Sequence, residues 1–241
     1  MPAPAPTYLD FASICDAVYD TTIATVAGFT RFNDTRRWSG FQGAIYRKAN
    51  GTGLDHVVAF AGTQPSEGAG VDVVTDAGFG GPGAGVAAGI LLGPLGSLLS
   101  GCGQALLTHQ CGCAEELLAM ARSAAGARDR IYVTGHSLGG GIAQIIAARS
   151  GVPAVGVSAP AVTAVPGVQE AWSRSRAPIA CLRVRNDPIN ETGRLGSWLG
   201  RVVFLQSPRT GGAAHSIAQT VAELSPQGPF TAIGARNPFG P

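Results

Sequence analysis

Residues 130 to 149 run through three kinds of chain in twenty positions. A short β-rich run, Arg130-Ile-Tyr-Val-Thr134, passes at once into Gly135-His-Ser-Leu-Gly-Gly-Gly141, and Ile142 to Arg149 then has helical character. A backbone that leaves a strand and enters a helix in so few residues must turn very tightly. At the apex the serine takes a strained conformation, with its Oγ lifted clear of the sheet. Glycines on either side supply the room, because side chains there would collide with the strand and the helix. The serine also faces the positive end of the helix, which favours an anionic oxygen nearby. A G-x-S-x-G pentapeptide in this strand–turn–helix setting predicts a nucleophilic serine, Ser137.

The surrounding chain predicts an α/β architecture. Leu9, Phe11, Ile14, Cys15 and Val18 fall near helical spacing over 8–19. Strands are expected at 41–48 and 56–61, separated by the turn Asn50-Gly51-Thr52-Gly53. A helix is expected to start near Ala114, with Glu115 and Glu116 in its first turn favouring the helix dipole. Strands at 154–158, 179–184 and 202–205 follow, then a helix over 216–224. Strands alternating with helices predict a mostly parallel sheet covered on both faces. At 241 residues, with no linker to split it, the chain reads as one α/β domain over 1–241, preceded by an extended Pro/Ala leader over 1–7.

One stretch departs from this pattern. No Asp, Glu, Lys or Arg occurs from Ala77 to Ala114, and Val86–Leu99 is nearly all apolar. A membrane span wants about 20 apolar residues, and Gly89, Gly93, Pro94 and Gly96 interrupt this one. The 77–114 segment is therefore read as an uncharged insertion and a candidate lid over a pocket. A buried loop and helix, or a membrane-inserting element, are the alternatives.

Charge excludes one class of partner. Seventeen basic residues against 15 acidic ones give a net charge of +2, with no Lys/Arg block, so the basic stripe of a nucleic-acid binder is lacking. Of the five cysteines, Cys111 and Cys113 form a CxC with Cys102 nearby, but no second pair follows at zinc spacing. Small buried residues, or a local disulfide from Cys102, are the readings, and no metal is assigned. The N-terminus lacks a basic region followed by an apolar one, so no signal peptide is expected. That leaves a cytoplasmic location or export by a leaderless route.

A serine hydroxyl needs a base, and the base needs an orienting group. His136 lies within the elbow and points away from the serine, a structural residue. His56 heads a strand, and His109 precedes the helix before the elbow. His215 follows the last strand, after Thr210-Gly-Gly-Ala-Ala and before a helix, where a loop would present it as the general base. Asp187, in Arg185-Asn-Asp-Pro-Ile189 after a late strand, is the candidate acid, with Glu191 as its competitor; Asp129 lies at the wrong end of the nucleophile strand. The chain order Ser, Asp, His is that of the α/β-hydrolase fold. An oxyanion would be held by the N–H of Leu138 and by a donor from Ala59-Phe-Ala-Gly-Thr63, where Thr63 offers both an N–H and a hydroxyl.

Phe60-Ala-Gly-Thr63, Gly-His-Ser-Leu-Gly-Gly at 135–140, Asn-Asp-Pro-Ile at 186–189 and the late His215 together resemble the class 3 (fungal-type) lipase family, over about residues 40 to 220. The resemblance implies an α/β-hydrolase fold and cofactor-free hydrolysis of acylglycerols and related esters, with Thr63 as the second oxyanion donor. The chain departs from the family in having Ala61 where Arg is common, and only 28 residues from Asp187 to His215. The expected function is a serine carboxylester hydrolase acting on lipid or another apolar ester, in transient contact with a lipid interface. A phospholipase directed at membranes, including a secreted bacterial effector, an acyltransferase, and a membrane-binding protein on a hydrolase scaffold are the alternatives.

Overall fold

The computed structural model describes residues 4–37, 40–62, 101–190 and 196–240, with 101–104 as backbone only. Thr63, Glu191 and the apolar 84–99 segment therefore lie outside the described residues.

Eight strands form a single sheet among the described residues, in sequence order from edge to edge. They are β1 (Thr25–Val26), β2 (Phe29–Arg36), β3 (Gln42–Ala49), β4 (Leu54–Phe60), β5 (Arg130–His136), β6 (Ala154–Val157), β7 (Ile179–Val184) and β8 (Arg201–Leu205). The first four pair antiparallel. From β4 to β8 every pairing is parallel. The predicted turn joins β3 to β4: the Asn50 side chain accepts the Gly53 N–H at 2.8 Å, and Gly51 takes a positive φ of 84°.

Alternate side chains of the parallel strands enter two separate cores. Val58, Phe60, Val133, Ile179 and Cys181 pack under α2 (Gly101–Ala124), α3 (Leu138–Ser150) and α4 (Val168–Ser175). Val57, Ala59, Tyr132, Val155, Ala180 and Leu182 face the opposite layer, α1 (Tyr8–Ala17), α5 (Gly211–His215), α6 (Ile217–Leu224) and α7 (Thr231–Gly234). Burial on both faces explains why these strands read as continuous apolar runs rather than alternating ones.

Several expectations need correction. The helix expected from Ala114 begins at Gly101, so Glu115 and Glu116 sit in its interior. They reach outward instead, to Arg149 at 2.9 Å and Arg37 at 3.1 Å. Thr7, itself in an extended conformation, caps α1: its Oγ1 accepts the Asp10 N–H, and the Asp10 carboxylate accepts the Thr7 N–H at 2.8 Å, a feature additional to the expected leader. Cys15, Cys111, Cys113 and Cys181 are free, buried thiols. Burial pushes Cys15 and Cys181 up to about 12 and Cys111 up to about 11, so these groups stay protonated and inert. The Cys102 side chain, and with it the reading of a local disulfide, lies outside the described residues. No helix among the described residues is long and apolar enough to cross a membrane.

Candidate active site

Three chain segments converge at the C-terminal ends of the parallel strands. The first is the turn from β5 into α3. Ser137 has φ 56° and ψ −129°, a positive φ that a residue with a Cβ rarely adopts. Its N–H is held by the Val157 carbonyl of the neighbouring strand at 3.1 Å. Two glycines are compulsory here. A Cβ on Gly135 would stand 2.3 Å from the Gly139 backbone, and one on Gly139 would stand 2.1 Å from the Phe60 carbonyl oxygen. Helix and strand therefore approach each other backbone to backbone, and the serine is pushed outward at the apex.

The second segment leaves β7. Asn186 takes φ 62°, turning the chain so that Asp187 looks back over the sheet. Asn190 ties the turn down by donating to the Val184 carbonyl at 2.7 Å while accepting from Arg183 at 2.8 Å. The third segment carries His215, which is the last residue of the five-residue helix α5 rather than part of a loop. Arg209 anchors this segment. Its guanidinium donates to the Ala213 carbonyl at 2.6 Å and pairs with Glu223 at 2.7 Å, both side chains being nearly buried.

These segments bring Ser137, His215 and Asp187 together. His215 Nε2 lies 3.0 Å from Ser137 Oγ. Its Nδ1 lies 3.0 and 3.1 Å from the two Asp187 carboxylate oxygens. Asp187 is 2% exposed and His215 8%. Burial by itself would push the Asp187 carboxyl up. The hydrogen bond and charge of His215, with the Ile189 N–H at 2.9 Å, outweigh it and hold the group below its ordinary value. A carboxylate kept ionised in this position fixes the imidazole with Nδ1 protonated, which leaves Nε2 free to take a proton from the hydroxyl.

Leu138 opens α3, so its N–H has no acceptor within the helix and points to the same end as Ser137. Thr63 lies outside the described residues, but the chain leading to it does not. A Cβ on Gly62 would come within 2.8 Å of Ser137 Cβ, so the end of β4 runs against the serine.

The other histidines fall elsewhere. His56 is fully buried at the opposite end of the sheet, 2.9 Å from Asp129. Asp129 is lowered to about 2 by the Gly126 N–H first, then by His56 and the Leu54 N–H. It is thus committed to that remote pair. His109 lies along α2, 3.8 Å from the Cys113 sulfur. His136 is in the elbow as expected, yet its ring lies only 4.7 Å from that of His215 and its Nε2 bonds the His215 carbonyl at 2.8 Å. Arg209 and Tyr19, whose hydroxyl meets His136 at 3.0 Å, were not foreseen from sequence. An isolated Arg or Tyr in a polar stretch carries no pattern that would mark it.

No protein-family model and no curated protein sequence matches this chain. Among solved structures, the nonglycosylated LIP2 lipase of Yarrowia lipolytica aligns with a TM-score of 0.50 at 15% identity, over 83% of this chain and 78% of its own. A further fungal lipase aligns at 0.49 and 16% identity, over 87% and 82%. Lipase II from Rhizopus niveus aligns at 0.47 and 15%, over 83% and 78%. With the parallel β4–β8 sheet and its two helical layers, the Yarrowia alignment gives the chain the α/β-hydrolase fold of the fungal lipases.

Proposed function

We propose that this protein is a serine carboxylester hydrolase that cleaves apolar acyl esters through an acyl-enzyme. The observation that carries the reading is the continuous line from Asp187 through His215 to Ser137 Oγ, with the serine at the apex of a strained elbow. Ser137 Oγ attacks the ester carbonyl as His215 Nε2 accepts its proton, and Asp187 stabilises the imidazolium. The Leu138 N–H, with Thr63 as the second donor, holds the oxyanion. The leaving alcohol takes the proton from His215, and water repeats the sequence on the acyl-serine.

An apolar substrate is supported by the uncharged run 77–114, and above all by the apolar residues 84–99 that follow β4 in sequence. The name of the Yarrowia structure that shares the fold, a lipase, points the same way. A lipid interface is the partner this composition suits.

The test is hydrolysis of p-nitrophenyl esters of increasing acyl length by wild type and Ser137→Ala, with and without a lipid interface. Activity lost with Ser137 and rising with chain length at the interface is the expected result. A folded wild type that neither turns over any ester nor reacts with a fluorophosphonate overturns the reading.

A further inference from the structure

Gly62, Tyr19, His136 and His215 are joined by one directed line of hydrogen bonds. The His215 carbonyl, 2.8 Å from His136 Nε2, can only accept, so Nε2 carries the proton of the His136 ring. Nδ1 is then the bare nitrogen, and the Tyr19 hydroxyl, 3.0 Å away, donates to it. The same Tyr19 oxygen accepts the Gly62 N–H at 2.8 Å. Each group has its role dictated by the next, from the loop that enters Thr63 to the backbone of the general base.

The line is held firmly at its middle. Tyr19 follows α1, and the buried Gln42 side-chain amide donates to the backbone carbonyls of Val18 and Tyr19, while the Gln42 backbone carbonyl accepts the Ala61 N–H at 2.9 Å. The Tyr19 ring meets His136 edge to face at 6.0 Å. Burial raises the Tyr19 phenol above its ordinary value, so it keeps the proton it donates. Burial, and then the neighbouring His215, lowers His136 to about 3, so its ring stays neutral. Neutrality matters because the two rings lie 4.7 Å apart. A charged His136 would oppose the imidazolium that forms on His215 during turnover.

We propose that Tyr19 and His136 are positioning residues: together they set the spacing between Gly62, in the loop just after β4, and His215, and present an uncharged ring to the His215 imidazolium. The inference rests on the hydrolase reading above. It differs from that reading in placing part of the rate in two groups that never touch the substrate.

Tyr19→Phe removes one oxygen, keeps the ring and breaks both bonds at once. The measurement is kcat and KM on a p-nitrophenyl ester, with active sites counted by fluorophosphonate so that unfolded protein does not enter the rate. We expect kcat per titrated site to fall about 10- to 100-fold, the scale of a small misplacement of reacting groups, with KM changed less than about twofold. His136→Gln should fall similarly, and the double variant no further than the worse single one. Nitrogen-15 spectra of the wild-type His136 ring should show a neutral Nε2–H tautomer, and its Nδ1 shift should move in Tyr19→Phe. An unchanged kcat per titrated site, even with a lower yield of folded protein, overturns the positioning role. So does a change confined to KM. An inactive, unlabelled wild type instead overturns the hydrolase reading and the role with it, while the ring-nitrogen shifts report separately whether the line of bonds exists.

Discussion

Lowering the pH from neutral to about 5 would protonate most histidines of an unfolded chain, and His136 is placed to refuse that proton. It is 5% exposed, its Nε2 proton is committed to the His215 carbonyl and its Nδ1 to the Tyr19 hydroxyl. Burial first, and His215 second, takes it from 6.5 to about 3. Between those two values the unfolded state binds a proton that the folded state does not. Stability therefore falls as pH falls, by about 1.4 kcal/mol per pH unit for this one group. The accumulated loss is about 1 kcal/mol at about pH 5.5 and about 3 kcal/mol at about pH 4.5, a large part of the ~5–15 kcal/mol that holds a typical domain folded. The paired carboxylates do not confuse this window. Asp129, at about 2, and Asp187, also lowered, contribute stability that is fully present above the ordinary carboxylate range and is lost as pH falls from there through their folded values, below the pH 7 to 5 points of the assay. Urea unfolding at about pH 7, 6 and 5 reads the slope directly. His136→Gln, which keeps an amide in place of the ring and removes the titration, should flatten it by about 1 kcal/mol per unit averaged over that range, and more between pH 6 and 5 than between 7 and 6. Equal slopes in the two proteins would refute the claim that His136 is held neutral by its surroundings.

Two further expectations concern the groups around Ser137. Asp187→Asn puts an amide donor where the carboxylate accepts from His215 Nδ1, favouring the wrong tautomer. Ester hydrolysis at neutral pH should drop by about 10³- to 10⁴-fold with the fold retained by circular dichroism, and a loss under tenfold would remove Asp187 from the proposed role. Arg209→Met leaves Glu223, 14% exposed at its side chain, without its cation and frees the Ala213 carbonyl beside His215. Chemical denaturation should show a cost near the low end of ~3–5 kcal/mol, with part of it restored when Glu223→Leu is added; an additive double variant would show that the pair is not coupled.

The parts legible in the sequence are those that a local pattern dictates. The apolar runs of β4 to β7 stand out because both sheet faces are covered, and the elbow stands out because only glycine fits on either side of Ser137. Asp187 and His215 are legible as candidates by position, after a late strand and the last strand, and the structure brings both to Ser137. What stayed hidden depends on tertiary partners. β2 has a polar sequence, Phe29-Thr-Arg-Phe-Asn-Asp-Thr-Arg36, in which only Phe29 is buried and the rest alternates half-buried and exposed positions, and β1 has only two residues, joined to it by Ala27 and Gly28, both at positive φ. The N-terminal half of α2 lacks charged residues, so its start had no electrostatic marker. Tyr19 and Arg209 act through atoms 117 and 14 residues away, in His136 and Glu223. No window along the chain joins those pairs.

The crowding at the elbow separates two pressures that the G-x-S-x-G pattern merges. Gly135 and Gly139 are demanded by the contact of α3 with its own strand and with the Phe60 carbonyl, whatever reaction the protein performs. Under the proposed mechanism, only the Ser137 hydroxyl answers to chemistry. In descent, a lineage that abandoned hydrolysis would be free to replace the serine while the fold went on selecting both glycines. A glycine-bracketed turn without serine would then record the ancestry of such a protein, and the hydroxyl its occupation.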